Sequence, residues 1–577
     1  MTQMSTRDTT PSFVELFTPK LITILREGYG LAALRADAIA GVTVAIVALP
    51  LSMAIAIASG VSPDRGLYTA IVGGFLVSAL GGSRFQIGGP AGAFIVLVLA
   101  TVQVHGVDGL IIATFLSGFM LMAIGFLRLG TFIKFIPYPV TIGFTAGIAF
   151  IILSSQIKDL LGLTLPGQEP GPIVPKLKAL YEALPTISIG AVGISLLTIL
   201  LILVVRQLRP RWPSMLIAVA ASTLVAWGLG LPIETIGTKF GGIPQSLPAP
   251  QLPDLSLGRV ITLLPVAASF ALLGGIESLL SAVVADSMTG RRHRSNCELV
   301  AQGIANIGSS LFGGFCVTGT IARTATNIRS GARSPMAGMF HALFLVVFIL
   351  VAAPLASYIP LSALAGVLAV VAWNMAERHQ FAALVRASWG DAAVLLSTFL
   401  ITIFRDLIEG ILVGFSLGAL LFLHRMSVST KVEMIAQPLE DQADEDPEHP
   451  RTAYDYQSAS EQDIIVYRIS GAFFFGATAT VATALERIGE APKAYVVDFS
   501  AVPVIDSTAA ATMQSFAERA QRQKARVLVA GASHDVRHVL KRHGIHPPLA
   551  TFHPSIHDAM TAARSKIEKA KAAAATA

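Results

Sequence analysis

Charged residues are scarce in this chain. Asp, Glu, Lys and Arg make up 14% of its 577 residues, where soluble domains carry about a quarter. Hydrophobic residues reach 53% and the mean hydropathy is +0.66, which excludes an ordinary soluble fold and points to a polytopic membrane protein set in a lipid bilayer. Cysteine is nearly missing as well. Cys297 and Cys316 are too few for a disulfide framework or a zinc site, and both fall near or inside apolar segments. His543, His546, His553 and His557 crowd the C-terminal end without cysteine or carboxylate partners at ligand spacing, so no metal is expected. The chain has no GxxxxGK[ST] phosphate loop, no GxSxG and no HExxH. Direct ATP drive and enzyme chemistry therefore have no support, and no cofactor is implied. The formal charge of +6 is read as basic membrane-flanking loops rather than as a nucleic-acid surface. No cleavable signal is expected before Arg35, because the amphipathic run over residues 13–25 is interrupted by Glu15 and Lys20. It is read as a cytoplasmic segment lying on the membrane surface.

What the chain does have is apolar runs near the length of about 20 residues that spans a bilayer. They fall at residues 38–59, 67–80, 109–127, 135–155, 187–205, 215–231, 261–285, 300–311, 336–356, 361–374, 392–403 and 408–423. Two segments interrupted by Gly or Pro, 87–104 and 313–334, bring the expected number to fourteen. An even number puts both termini on one side. Arginines such as Arg84, Arg128, Arg206, Arg291 and Arg378, in loops after even-numbered spans, make that side cytoplasmic. Lys158, Lys176 and Lys178 depart from this pattern. The interrupted segments are third and tenth, equal positions in two halves of seven, and an odd number of spans per half requires the second half to be inverted. Inverted-repeat transporters build their binding sites from such discontinuous helices.

In the first of these segments, residues 85–87 are extended, Gly88-Gly89-Pro90 breaks the chain, and a helix starts from Ala91. In the second, residues 315–317 are extended, Thr318-Gly319-Thr320 turns, and a helix starts near Ile321. Each half-helix then aims its free backbone N–H groups and positive dipole end at the mid-bilayer gap, an arrangement suited to an anion. Arg323 adds a full charge there. The competing reading pairs Arg323 with a carboxylate or carbonyls elsewhere in the bundle, since a buried charge costs about 2.5–3.5 kcal/mol and needs a partner or a purpose. Thr318, Thr320 and Thr324 offer hydroxyls either to a ligand or to their own backbone. In the eighth span Glu277 lies nine residues before Asp286, about 13 Å along a helix, which places a carboxyl near the midplane with Ser281 one turn on. Such a group carries a proton, joins a sodium site, or bonds a neighbouring backbone. Pro50 kinks the first span, and Ser52 beside it is a candidate for facing the cavity.

The runs GGFCVTGTIARTATNIRSGARSP, IESLLSAVVADSMTGRRHRSNCELVAQGIANIGSSLFGG and GGSRFQIGGPAGAFIVL resemble the SulP anion permeases, the bacterial relatives of solute carrier family 26. The resemblance covers nearly the whole chain from about Arg35. It implies fourteen transmembrane segments in a seven-plus-seven inverted repeat with two half-helices, a core moving against a gate, and a homodimer in the bacterial inner membrane. Within the family, IPYPVTIGFTAGIAF, SSQIKDLLGL and VAWNM look like the proton-coupled C4-dicarboxylate transporters. That likeness places a small anion substrate, succinate or fumarate, at Ala91, Gly92, Ala93, Ala322, Arg323 and Thr324, with Ser52 nearby. It makes Glu277, with Ser281, the site of the coupling proton. Sodium-coupled bicarbonate members have aspartate and threonine at these two positions, a departure that favours protons here; sulfate and bicarbonate remain alternative substrates.

After residue 428 the composition changes. The expected organisation is an N-terminal segment 1–34, a membrane domain 35–428, an acidic linker 429–460, an α/β domain 461–565 and a disordered tail 566–577. Strands at 464–470, 494–499 and 526–530 alternate with helices at 478–488, 508–522 and 535–542. The run AYVVDFSAVPVIDSTAAATMQSF resembles a STAS domain, named for sulfate transporters and anti-sigma-factor antagonists. Ser507 matches the serine phosphorylated in some antagonists, and the alternative is a helix cap at Asp506 or Ser507. Secondary active anion uptake is thus weighed against an anion sensor signalling through the STAS domain and against a passive anion channel.

Overall fold

The computed structural model describes residues 12–167, 169–209, 212–435, 463–486 and 492–575. The acidic run 440–449, and with it most of the expected linker, lies outside them. Contacts divide the chain into two units, Met1–Ser416 and Leu417–Ala577.

The first span is the helix Leu31–Ala58, with Pro50 inside it. The second is Pro63–Tyr68, a widened π turn Thr69–Gly73, and Gly74–Leu80. The long helical run Gly92–Phe126 is broken where Gly106 takes φ +69°, which separates the third span from the fourth. The helices Tyr138–Leu161, Ile189–Leu208, Ser214–Gly228, Leu257–Thr289 and Ser295–Leu311 follow. The tenth segment holds only Ile321–Arg329, and the last four are Met336–Ala356, Leu361–Met375, Trp389–Phe404 and Leu407–Ser429. Among the described residues these make the fourteen segments of a seven-plus-seven repeat.

They gather in two bundles. The fourth span packs on the eighth and ninth and the first packs on the eleventh, whereas the fifth packs on the twelfth and thirteenth and the sixth on the seventh and twelfth. Spans 1–4 and 8–11 thus form the bundle that holds both interrupted segments. Side chains such as Leu196, Leu200 and Leu203 on the sixth span and Leu350 and Val351 on the eleventh stay exposed, as lipid-facing positions require.

Two features of the first unit were not visible in the sequence. The N-terminal helices Phe13–Phe17 and Lys20–Glu27 are tied to the first bundle, with Lys20 N–H donating to Gly81 O at 2.9 Å and Arg294 Nη1 donating to Thr18 O at 2.6 Å. The Arg84 guanidinium beside Glu27 holds that exposed carboxyl below the usual range. The anomalous Lys176 sits on a helix, Ile173–Glu182, and is 1% exposed, paired with Glu169 Oε1 at 3.0 Å and Ser155 Oγ at 2.8 Å. Burial with a carboxylate partner accounts for that lysine.

In the second unit five strands follow the order β3 (Lys431–Ile435), β4 (Ile464–Ser470), β5 (Ala494–Ala501), β6 (Arg526–Ala530) and β7 (Ala550–His553); β1 and β2 belong to the interrupted spans described below. β3 pairs antiparallel with β4 and the rest are parallel. The helices Thr478–Glu486, Ser507–Arg522 and His534–Arg542 supply the connections, and Tyr467, Phe473, Val497, Met513 and Phe516 fill the core between sheet and helices. Strand β3 falls where linker was expected. The helix Ile556–Ala575 runs on through the stretch expected to be a disordered tail, because Ala and Lys are strong helix formers.

Candidate anion-binding site

The two interrupted spans meet as a two-residue ladder. β1 (Gly88–Gly89) pairs antiparallel with β2 (Thr318–Gly319), Gly88 opposite Gly319 and Gly89 opposite Thr318, and Thr320 N–H adds a bond to Ile87 O at 3.0 Å. Side chains are excluded where the ladder is tightest. A Cβ on Gly89 would lie 2.3 Å from Arg323 Nη1, and one on Gly319 would lie 1.9 Å from Gln86 Nε2.

From the ladder the chain leaves in opposite directions. One arm starts with a 3₁₀ turn at Gly92–Phe94, the other with the helix Ile321–Arg329. Their first backbone bonds are donated by Phe94 to Ala91 O and by Thr324 to Thr320 O. The N–H groups ahead of them, on Gly92, Ala93, Ile321, Ala322 and Arg323, are the orphan donors of two helix ends, and both ends face the ladder with their positive poles. Ala322 is exposed and Gly92 half-buried, whereas Ala91 and Ala93 are buried. A Cβ on Gly92 would meet Ile152 Cδ1 at 3.2 Å and Met375 Sδ at 3.9 Å, so the opposite bundle places an apolar wall against this end.

Arg323 does not point into open space. It is 1% exposed, and its Nη2 donates to Ser52 Oγ at 3.1 Å and to Pro90 O at 3.3 Å. Nε and Nη1 have no hydrogen-bond partner among the described residues, and no carboxylate there pairs with the guanidinium. Of the competing reading, the carboxylate partner finds no support among the described residues, whereas Pro90 O is a carbonyl of the kind it named. The charge sits behind the ladder, where low dielectric lets it act on the helix ends over several ångströms. Ser52, fully buried, is brought to Arg323 rather than to a cavity.

Thr324 and Ser281 are brought together. Ser281 Oγ donates to Thr324 Oγ1 at 3.2 Å, and Ile87 N–H donates to the same oxygen at 3.1 Å. Thr318 Oγ1 donates to Gly274 O at 3.0 Å and Thr320 Oγ1 to Ile87 O at 3.1 Å. Thr318 and Thr324 hold the second interrupted span against the eighth helix, and Thr320 ties it to the first. On that helix Gly274, Ser278 and Ser281 all touch the interrupted spans, which defines one face by helical spacing. Glu277 lies on it, 7% exposed, and its carboxyl makes no hydrogen bond or ion pair among the described residues.

Sequence reading missed a polar core beside this face. Glu298 is fully buried; its Oε2 accepts Gly82 N–H at 2.8 Å and Ser83 N–H at 3.1 Å, and its Oε1 accepts Gln86 Nε2 at 2.9 Å. Gln86 Nε2 also reaches Ser278 Oγ at 2.7 Å, and Ser278 donates to Gln302 Oε1 at 3.2 Å. Gln302 and Asn306 both donate to Val317 O, and Val317 N–H returns a bond to Asn306 Oδ1 at 3.0 Å. The signal was present as Glu298, Gln302 and Asn306 at four-residue intervals, a polar stripe on one helix face.

Ser507 belongs to the second unit. It is exposed in the first turn of its helix, while Asp506 is the N-cap, accepting Ala509 N–H at 2.8 Å and Phe475 N–H at 2.9 Å.

Residues 34–398 match the model of the sulfate permease family, and residues 456–559 match that of the STAS domain. The chain belongs to the sulfate permease family. It is a multi-pass membrane protein and an anion transporter of that family. A Bacillus subtilis protein named "Putative sulfate transporter YvdB" is 38% identical over 91% of this chain and 97% of its own. The bicarbonate transporter BicA of Picosynechococcus is 30% identical over 88% of this chain and 90% of its own. Among solved structures, murine Solute Carrier 26 family member A9 superposes with a TM-score of 0.82 over 98% of this chain and 96% of that one at 20% identity, a likeness of fold. The transmembrane domain of a cyanobacterial BicA gives 0.59 at 31% identity, over 66% of this chain and 98% of that one.

Proposed function

We propose that this permease takes up a small anion by proton-coupled secondary transport, with C4-dicarboxylates such as succinate or fumarate as its substrates. The observation that carries the reading is the fully buried guanidinium of Arg323, without a carboxylate partner among the described residues, beside two helix ends with unbonded N–H groups. A desolvated cation of this kind is stabilised by an anion held at those helix ends. Ala91, Gly92, Ala93 and Ala322 give the backbone cradle, Thr324 closes the first turn behind it, and Ser52 orients the guanidinium. Ile152 and Met375 suit the hydrocarbon backbone of a dicarboxylate. Glu277, on the face toward the cradle and without a partner, takes the coupling proton and lowers the cost of carrying charge across.

In this reading the first bundle carries the site past the second in an elevator-like movement, the protein works as a homodimer in a bacterial inner membrane, and both termini are cytoplasmic. Ser507, exposed in its helix's first turn, serves as a regulatory phosphosite. A second reading, sulfate or bicarbonate, is favoured by the names of the relatives, with sodium in place of the proton at Glu277 and Ser281. Uptake of labelled succinate, sulfate and bicarbonate into proteoliposomes, with a proton or a sodium gradient imposed, separates the readings. Succinate accumulation driven by protons alone is the expected result, and accumulation of none of the three under either gradient contradicts coupled transport.

A further inference from the structure

His341 lies on the eleventh span, Met336–Ala356, and is fully buried. Both of its ring nitrogens are without a hydrogen-bond partner among the described residues. A neutral imidazole has one donor and one acceptor to satisfy, and each buried and unmet group is costly. Arg323 Nε and Nη1 are in the same condition.

The two side chains occupy consecutive rungs of one seam. A Cβ on Gly89 would lie 2.3 Å from Arg323 Nη1 and 3.8 Å from Ala70 Cα. One on Gly74 would lie 2.8 Å from Gly88 O and 3.7 Å from His341 Cε1. Gly74 is one helical turn beyond Ala70, and Gly88 adjoins Gly89, so guanidinium and imidazole both line the contact between the second span and β1. The second span runs here as the π turn Thr69–Gly73, a local widening that is frequent at functional sites. The acid of this neighbourhood, Asp37, is already engaged by Tyr29 Oη at 2.7 Å, by the N–H groups of Arg333 at 2.6 Å and Ser334 at 3.1 Å, and by Ser334 Oγ at 2.5 Å.

We propose that His341 is a positioning residue for Arg323, its ring nitrogen accepting from the guanidinium across the seam through one bridging water, and so fixing where the charge meets the anion. The proposal rests on the transport reading above. It sets anion affinity without touching the anion, so its loss weakens binding and spares turnover.

The test measures KM and maximal rate of proteoliposome uptake, for whichever of labelled succinate, sulfate and bicarbonate the wild type accumulates, in His341→Leu, His341→Asn and Arg323→Ala. His341→Leu is expected to raise KM about tenfold with the maximal rate within about twofold. His341→Asn, which keeps a donor and an acceptor, recovers most of the loss. Arg323→Ala, which is expected to lose uptake, marks complete loss of the charge that His341 positions. If the leucine variant does not assemble, His341→Ala is read against the same values. A KM unchanged in the leucine or alanine variant, or a fall in rate alone, overturns the role of His341 while leaving transport intact. A wild type that accumulates none of the three anions overturns the transport reading and this proposal with it.

Discussion

The two interrupted spans share a backbone design and differ in charge. Each breaks at a glycine of the same two-rung ladder, and each then starts a helix. The arm from Gly92 carries no Asp, Glu, Lys or Arg and continues to the break at Gly106, whereas the arm from Ile321 is nine residues long and carries Arg323. Helix ends alone supply partial charges of about half a unit each, which any small anion satisfies. One full charge, placed on one arm and reaching behind the other to Ser52 and Pro90, makes the pair asymmetric in charge. A buried carboxylate serves each arm: Glu298 binds Gly82 and Ser83 where the chain enters the third span, and Asp37 binds Arg333 and Ser334 where it leaves the tenth. Symmetry of scaffold with asymmetry of charge is the lesson of this core.

The comparison is broken most severely at the ladder. Gly89→Ala forces the Arg323 guanidinium from its place, and a displacement on the order of 1 Å in a binding group costs up to about a hundredfold in rate. Uptake is expected to fall by that order in protein that still folds, because the clash is with the far end of a side chain. Next in size is Glu298→Gln. Its amide turns a donor toward Gln86 or toward the Gly82 and Ser83 N–H groups, which costs about 1–3 kcal/mol. A lower midpoint in thermal unfolding of the detergent-solubilised protein checks this. Asp37→Asn is expected to act in the same direction by a smaller amount, since Tyr29 and Ser334 hydroxyls can reorient to an amide. The smallest change is Ser52→Ala, which removes one acceptor from Nη2 while Pro90 O remains. About 1 kcal/mol, or roughly fivefold in KM, is expected in uptake assays.

Much of this core could be read from the chain. Gly88, Gly89 and Pro90 in one apolar run and Gly319 in another mark the breaks, and Glu277 stands alone in its span. The direction of Arg323 could not be read, because which side of the ladder its guanidinium takes depends on the absence of a Cβ at Gly89, a tertiary fact. Glu298 falls just outside the uncharged run 300–311, and His341 is a single polar residue inside an apolar run, so neither stands out in the sequence. Strands β3 and β7 were missed for another reason. The short sequences KVEMI and ATFH carry little periodicity and become strands by pairing with β4 and β6.

The central claim is that one charged arm binds the anion while a separate carboxyl couples its movement. Uptake and anion exchange measured side by side in proteoliposomes containing Arg323→Ala or Glu277→Gln test it most directly. The account expects Arg323→Ala to lose both activities, and Glu277→Gln to keep exchange while losing proton-driven accumulation. Exchange that survives in Arg323→Ala, or proton-driven accumulation that survives in Glu277→Gln, would contradict it.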